Sequence, residues 1–183
     1  MAQLIVFLLG TLGNVWISRR SLRVPGTHGF YRFFAWEAVV ALVATGYPSW
    51  GRDADWPYRL AAGILLMLCG LYLALQGFRQ LKRDGVASAA RRDDTLFAFE
   101  KTTRLVTGGI YAHIRHPMYA ALLFLTWGIW LQAPTLVGLL LAVAVSLFLL
   151  LTALADEREC LAWFGAPYAD YMRGTRRFIP GLF

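Results

Sequence analysis

Charge is scarce in this chain. Asp, Glu, Lys and Arg make up only 16% of residues, against 58% hydrophobic, whereas a soluble domain ordinarily carries about 25% charged residues. The deficit is uneven, because long stretches have no charge and the charges sit in blocks between them. That pattern excludes an ordinary water-exposed surface and fits a chain that uses lipid as solvent. Cysteine is also rare: Cys69 lies in an apolar run and Cys160 in a charged tail, so the two read as free thiols rather than a disulfide. The first apolar run, Ala2–Ile17, lacks the basic stretch that precedes the core of a signal peptide, since Arg19, Arg20 and Arg23 follow it. It reads as a retained first helix.

What the chain has is apolar length. A bilayer core needs roughly 20 apolar residues of helix. Candidate spans are Ala2–Ser18, Phe30–Tyr47, Tyr58–Phe78, Met118–Leu131 and Thr135–Ala155. The last two come from a stretch of 38 residues without a charge, Met118 to Ala155. As one helix it would run about 57 Å, too long for a single crossing. Gln132-Ala133-Pro134 interrupts it, and proline disfavours helix in the residue before it. The fold expected is therefore all-α, a polytopic transmembrane helical bundle of about five spans. It ends in a helical hairpin and a cytoplasmic tail helix, and residues 1–183 form one domain.

The net charge of +7 suits loops that meet anionic headgroups better than it suits nucleic acid. Of the 18 Lys and Arg residues, only Arg52 and Arg59 fall on one side of the expected spans. The other sixteen flank the first loop, the third connection and the tail. The positive-inside bias then predicts the N-terminus outside and the C-terminus in the cytoplasm, which five crossings satisfy. Glu37 falls within the second span, where a carboxylate must face the bundle or a partner. The expectation is a pair with Arg32 or with an arginine of the first loop.

Two segments on the predicted cytoplasmic side carry the chemistry. The first runs from Leu105 to Tyr119. Gly108-Gly109 permits a tight turn, and Pro117 suits the first turn of a helix. Arg115 and His116 thus sit at a helix N-terminus, which favours an anion. The plainer alternative is a basic anchor with Tyr111 and Tyr119 in the interfacial aromatic belt. The second segment starts at Ala155, where the last span ends. Leu161, Phe164, Tyr168 and Tyr171 recur at helical spacing and read as packing rather than a cofactor box. Asp156 and Glu157 could face a cation or a ribose diol, but spacing alone favours solvated helix-surface charge. The charged stretch Lys82–Lys101 reads as a linker in preference to a lid.

Tyr111-x-x-x-Arg115-His116-Pro117-x-Tyr119, an apolar hairpin, Asp156-Glu157-Arg158-x-x-Leu161, Phe164-Gly165-x-x-Tyr168-x-x-Tyr171 and the terminal Arg177-Phe178-Ile179-Pro180-Gly181 follow in order. Together they resemble the isoprenylcysteine carboxyl methyltransferase family, parts of which related phospholipid N-methyltransferases share. The resemblance is strongest over 105–183. It implies a membrane-embedded enzyme with the cofactor S-adenosylmethionine, enclosed on the cytoplasmic side by Tyr111, Arg115, His116, Pro117, Tyr119 and Glu157. It further implies that Arg177 orients an acceptor and that Glu157 takes part in catalysis. Gly109-Ile110-Tyr111 stands where the family often has Gly-Pro-Tyr, and Asp156-Glu157 where it often has Glu-Glu.

Methyl transfer from a sulfonium is an in-line displacement, so the protein supplies mainly orientation and a dry site. Only a protonated amine acceptor needs a general base, a part His113 or Glu157 could take if its pKa suited. A lipid-like or lipidated acceptor would enter from the membrane, and membrane lipids are the expected partners, with no nucleic acid and no metal. The expected location is an inner, plasma or endomembrane. Two other classes stay open, a haem or redox-associated protein and a non-catalytic lipid-binding protein. The first needs axial ligands from three histidines, and the second expects polar residues at mid-membrane, of which Glu37 and Gln76 are the few.

Overall fold

The fold comes from a computed structural model, which describes residues 1–46, 57–86 and 95–182. Six α-helices make up its regular structure: α1 (Ala2–Ser18), α2 (His28–Gly46), α3 (Pro57–Asp84), α4 (Pro117–Gln132), α5 (Leu136–Phe164) and α6 (Ala166–Gly174). Short 3-10 turns at Ser21–Arg23 and Gly109–Ala112 link them. Among the described residues there is no strand beyond a single bridge between Ile114 and Arg176. The all-helical class therefore stands. Arg52, Arg91 and Arg92 lie outside the described residues.

Two helices, α3 and α5, are long and apolar enough to cross a membrane by themselves, and α1 is a shorter apolar helix. Both long helices outrun the spans expected from hydropathy. The α3 helix continues through Gln80 to Asp84, and α5 continues through Asp156, Glu157 and Glu159 to Phe164. At 29 residues, α5 is about 43 Å long, so its charged end projects past an apolar layer of about 30 Å. The break between α4 and α5 falls at Ala133-Pro134-Thr135, where the Thr135 hydroxyl accepts the Gly138 N–H at 3.0 Å and caps α5. Trp127 Nε1 donates to Ser146 Oγ at 3.3 Å, and the Tyr119 hydroxyl donates to Asp156 Oδ2 at 3.2 Å. These two contacts set α4 and α5 antiparallel.

Helix α3 approaches α4 through a glycine repeat that the hydropathy reading does not detect. Gly63, Gly70 and Gly77 are buried and seven residues apart, so they share one face. A Cβ on Gly63 would lie 2.9 Å from the Gly128 carbonyl, and one on Gly70 would lie 2.8 Å from the Ala121 carbonyl. Gly77 faces Pro117. Close backbone approach of this kind replaces the hydrophobic drive that is missing between helices in lipid.

The core joins the bundle to the motif segments. Ala35 of α2, Ala120 of α4 and Val145, Leu149 and Ala153 of α5 cluster with Ile114 and with Phe178 from the tail. On the other side, α1 is held to α2 by polar contacts. Glu37 accepts from the Thr11 hydroxyl at 2.5 Å and from Asn14 Nδ2 at 3.0 Å. This corrects the expected arginine partner. Arg32 instead turns to Glu100, at 2.5 Å, and lies over the Phe97 ring. The α1 hydroxyl and amide satisfy the carboxylate without a full counter-charge, because both side chains sit on the helix face that α2 covers.

Candidate functional site

The two chemistry-bearing segments meet. Gly109 adopts φ +60°, and a Cβ there would come within 2.6 Å of Gln80, so glycine lets the turn close against α3. The 3-10 turn then delivers Tyr111, whose carbonyl accepts the Tyr171 hydroxyl of α6 at 2.7 Å. Past it, Arg115 N–H donates to the Arg176 carbonyl at 2.7 Å, and His116 N–H donates to the Arg177 carbonyl at 3.1 Å. Arg176 N–H returns a bond to the His113 carbonyl at 3.3 Å. The tail is thus zipped, main chain to main chain, along the segment that precedes α4. His116 stands at the N-cap position of α4 without a side-chain bond to the helix, and Pro117 opens it, as the sequence predicts.

Glu157 is the electrostatic centre of this junction. It is 4% exposed, not solvated as spacing alone suggests. Arg115 Nε donates to Oε1 at 2.9 Å, and Arg177 donates from Nη2 to Oε2 at 3.0 Å and from Nε to Oε1 at 3.1 Å. His116 Nε2 faces Oε1 at 3.4 Å. Arg115 also donates from Nη1 to the Met172 carbonyl at 3.1 Å and to the Thr175 carbonyl. A buried carboxylate is tolerable because two arginines pair with it and His116 lies beside it.

Beside this knot lies a cavity of about 730 Å³, mouth included. Of the residues expected around a cofactor, Tyr111, Arg115, His116, Pro117 and Tyr119 line it. Glu157 and Arg177 do not; they are brought to each other behind the wall. Asp156, the neighbour of Glu157, lines the cavity instead. So do Phe164, Tyr168 and Tyr171, which also pack ring against ring. Gly165, at φ +64°, breaks the stripe between α5 and α6 and turns the second half toward the first. His113 does not line the cavity and is exposed.

His28 and Glu100 are wall residues that no motif signals. Residues 95–102 are therefore part of the site, not only a linker. Glu100 accepts from Arg32 Nη1 at 2.5 Å and from the Phe97 N–H at 2.9 Å. Burial alone would raise the Glu100 carboxyl, but Arg32 and His28 outweigh it and hold it below its usual value. His116 stacks on Tyr119 with ring centroids 5.2 Å apart. Its Nδ1 faces Asp156 Oδ2 at 3.4 Å, opposite Glu157 at Nε2. Burial would lower the His116 imidazole, yet the two carboxylates raise it net. Both ring nitrogens thus face carboxylates, and neither points into the cavity as a free axial ligand would. His28, Asp156 and Glu159 each offer an atom within 4.8 Å of the others. There too His28 Nδ1 is taken by Glu159, at 2.6 Å.

A second, apolar groove runs between α2, α3 and α4, with Trp36, Met67, Leu71, Phe78, Phe97 and Leu125 among its walls. It holds about 1090 Å³, mouth included. Glu100, Met118 and Tyr119 line both the polar cavity and this groove, so the two spaces share a wall.

The phospholipid methyltransferase family model matches residues 58–164, more than half of the chain. The chain belongs to the phospholipid methyltransferase family. This supports the resemblance to membrane methyltransferases read from the motifs. The match contains Tyr111, Arg115, His116, Pro117, Tyr119 and Glu157, and it leaves out His28, Arg32 and the tail. Methanethiol S-methyltransferase 2 of Bradyrhizobium diazoefficiens is 35% identical over 74 residues, which is 40% of this chain and 28% of that protein. The aligned part thus spans well under half the relative's length. No solved structure matches the chain.

Proposed function

We propose that the protein is an integral membrane methyltransferase that uses S-adenosylmethionine and methylates a lipid-like acceptor. The observation that carries this reading is the shared wall between a polar cavity and an apolar groove. It supports a water-side cofactor and a membrane-side acceptor meeting at Glu100, Met118 and Tyr119.

The side chains of the polar cavity suit the proposed cofactor. Asp156 offers a carboxylate for a ribose diol or an ammonium group, while Tyr111, Phe164, Tyr168 and Tyr171 offer aromatic faces for an adenine ring. Arg115 and His116, fixed by Glu157, keep the N-terminus of α4 in place beside them. S-adenosylmethionine would supply an already activated methyl group, so these residues need only bind, orient and exclude water.

The aromatic and aliphatic lining of the groove supports an acceptor with a hydrocarbon tail, entering from the lipid. Its head would be a carboxylate, an amine or a thiol; the name of the Bradyrhizobium relative supports a thiol. Five crossings, with the N-terminus outside and the site in the cytoplasm, fit the lopsided basic residues. The deciding experiment is incubation of purified protein with labelled S-adenosylmethionine and a total lipid extract, followed by mass analysis. A methylated lipid supports the reading. Methylation of fully water-soluble acceptors alone would overturn lateral entry, and absence of cofactor binding by calorimetry would overturn the methyltransferase reading.

A further inference from the structure

We propose that His28 is a positioning residue of the site, an imidazolium that holds Glu100 at the wall shared by the polar cavity and the apolar groove. The inference rests on the methyltransferase reading but concerns a residue outside the stretch that the family model matches.

His28 is the first residue of α2 and is 1% exposed. Its Nδ1 lies 2.6 Å from Glu159 Oε2, and its main-chain N–H donates to Glu159 Oε1 at 2.8 Å. One carboxylate of α5 therefore grips both the ring and the N-terminus of α2, where negative charge is favoured. On the other side, Nε2 faces Glu100 Oε2 at 3.6 Å. A neutral imidazole donates from one nitrogen only, and its other nitrogen carries a lone pair. Directing that lone pair at a buried carboxylate would be repulsive, so carboxylates on both sides demand the doubly protonated ring.

The charge matters because of where Glu100 stands. Its Oε1 is held by Arg32 and its Oε2 by the Phe97 N–H. His28 is the contact that ties this loop carboxylate, across the ring, to α5 beside Asp156. Without the cation, Glu100 and Glu159 would be left as like charges on either side of an uncharged ring, and Glu100 would shift. Cofactor contacts at Tyr111, Arg115 and His116 would remain. Misplacement at a reacting centre lowers turnover steeply even when binding survives, so the defect belongs in kcat rather than in cofactor affinity.

The test compares His28→Gln with His28→Lys in the full chain, in detergent, using labelled S-adenosylmethionine, total lipid extract and calorimetric cofactor titration. Gln keeps a donor and loses the charge; Lys keeps a charge. The expected result for His28→Gln is a fall in kcat of about tenfold to hundredfold, with cofactor Kd near wild type. His28→Lys should recover most of the loss. Equal activity in the two variants, or a loss confined to cofactor Kd, overturns the assignment. A readout independent of turnover is ¹⁵N NMR of labelled histidine in wild-type protein. With only three histidines in the chain, single substitutions identify the His28 signal. It should stay doubly protonated at pH about 8, where an unperturbed histidine is neutral; a neutral ring there overturns the proposal whatever the protein methylates. Failure of wild-type cofactor binding, by contrast, counts against the methyltransferase reading.

Discussion

Arg177 grips Glu157 at two points, Nη2 to Oε2 at 3.0 Å and Nε to Oε1 at 3.1 Å. With Arg115 on the same carboxylate at 2.9 Å, the acid ties the tail and the pre-α4 segment to α5. Removing it leaves two arginines and His116 facing one another without compensation. Glu157→Ala should destabilise the fold by about 3–5 kcal/mol, the range for breaking a buried ion pair. Arg177 is 27% exposed at its side chain, and Arg115 remains on Glu157 without it. Arg177→Ala should therefore cost clearly less. Thermal melts in detergent check the order; equal, small losses would contradict a central role for Glu157 in holding the tail.

Much of this arrangement is legible in the sequence, and the limits have physical causes. Hydropathy locates the apolar helices because lipid demands long uncharged runs, and Pro134 marks the break between α4 and α5. It does not give the ends of α3 and α5, because the extensions beyond the apolar runs are charged and yet still helical. Motif order brings Arg115 and His116 to Glu157, since both segments flank one pair of helices. What it misses is non-local. His28 and Glu100 are lone residues in unmarked segments, joined only when α2 packs on α5. Which of Asp156 and Glu157 faces the cavity is likewise set by rotation of α5, about 100° per residue, which neighbouring positions in a sequence do not reveal.

The glycine face of α3 gives a packing prediction. A Cβ on Gly70 would meet the Ala121 carbonyl at 2.8 Å and the Leu125 nitrogen at 3.3 Å, both backbone atoms that cannot rotate away. Gly70→Val must push α3 from α4, at a cost of about 1–3 kcal/mol for overpacking. Gly13, with nothing near its Cβ position, is the matched control. Lower thermal stability for Gly70→Val than for Gly13→Val checks the contact.

Filling the groove should separate acceptor from cofactor. Ala74 lines the apolar groove and not the polar cavity. Ala74→Trp adds bulk where a hydrocarbon tail would lie. The kcat/KM on total lipid extract should drop about tenfold or more through a higher KM, while calorimetric cofactor Kd stays near wild type; a loss of ground-state and transition-state binding of the acceptor alone has this signature. Unchanged lipid turnover in Ala74→Trp would mean that the tail lies elsewhere.

The buried imidazolium also predicts an alkaline limit to stability. Burial would lower the His28 pKa, but Glu100, Glu159 and Asp156 outweigh it and raise the ring from 6.5 to about 10. The facing groups are Glu159 and Asp156 from α5 and Glu100 from its loop, the last paired in turn with Arg32 of α2. A folded-state pKa above the unfolded one means that the folded protein binds the proton more tightly. The resulting stabilisation is complete below about pH 6.5, declines as the unfolded ring stops binding its proton, and is lost as pH rises through about 10. Tyr and Lys residues titrate in the upper part of this window too, so wild type alone does not isolate the effect. The difference in melting temperature between wild type and His28→Gln does. It should be largest near neutral pH or below and shrink toward zero by about pH 10. A difference that stays constant across that range would mean that His28 contributes packing and not charge.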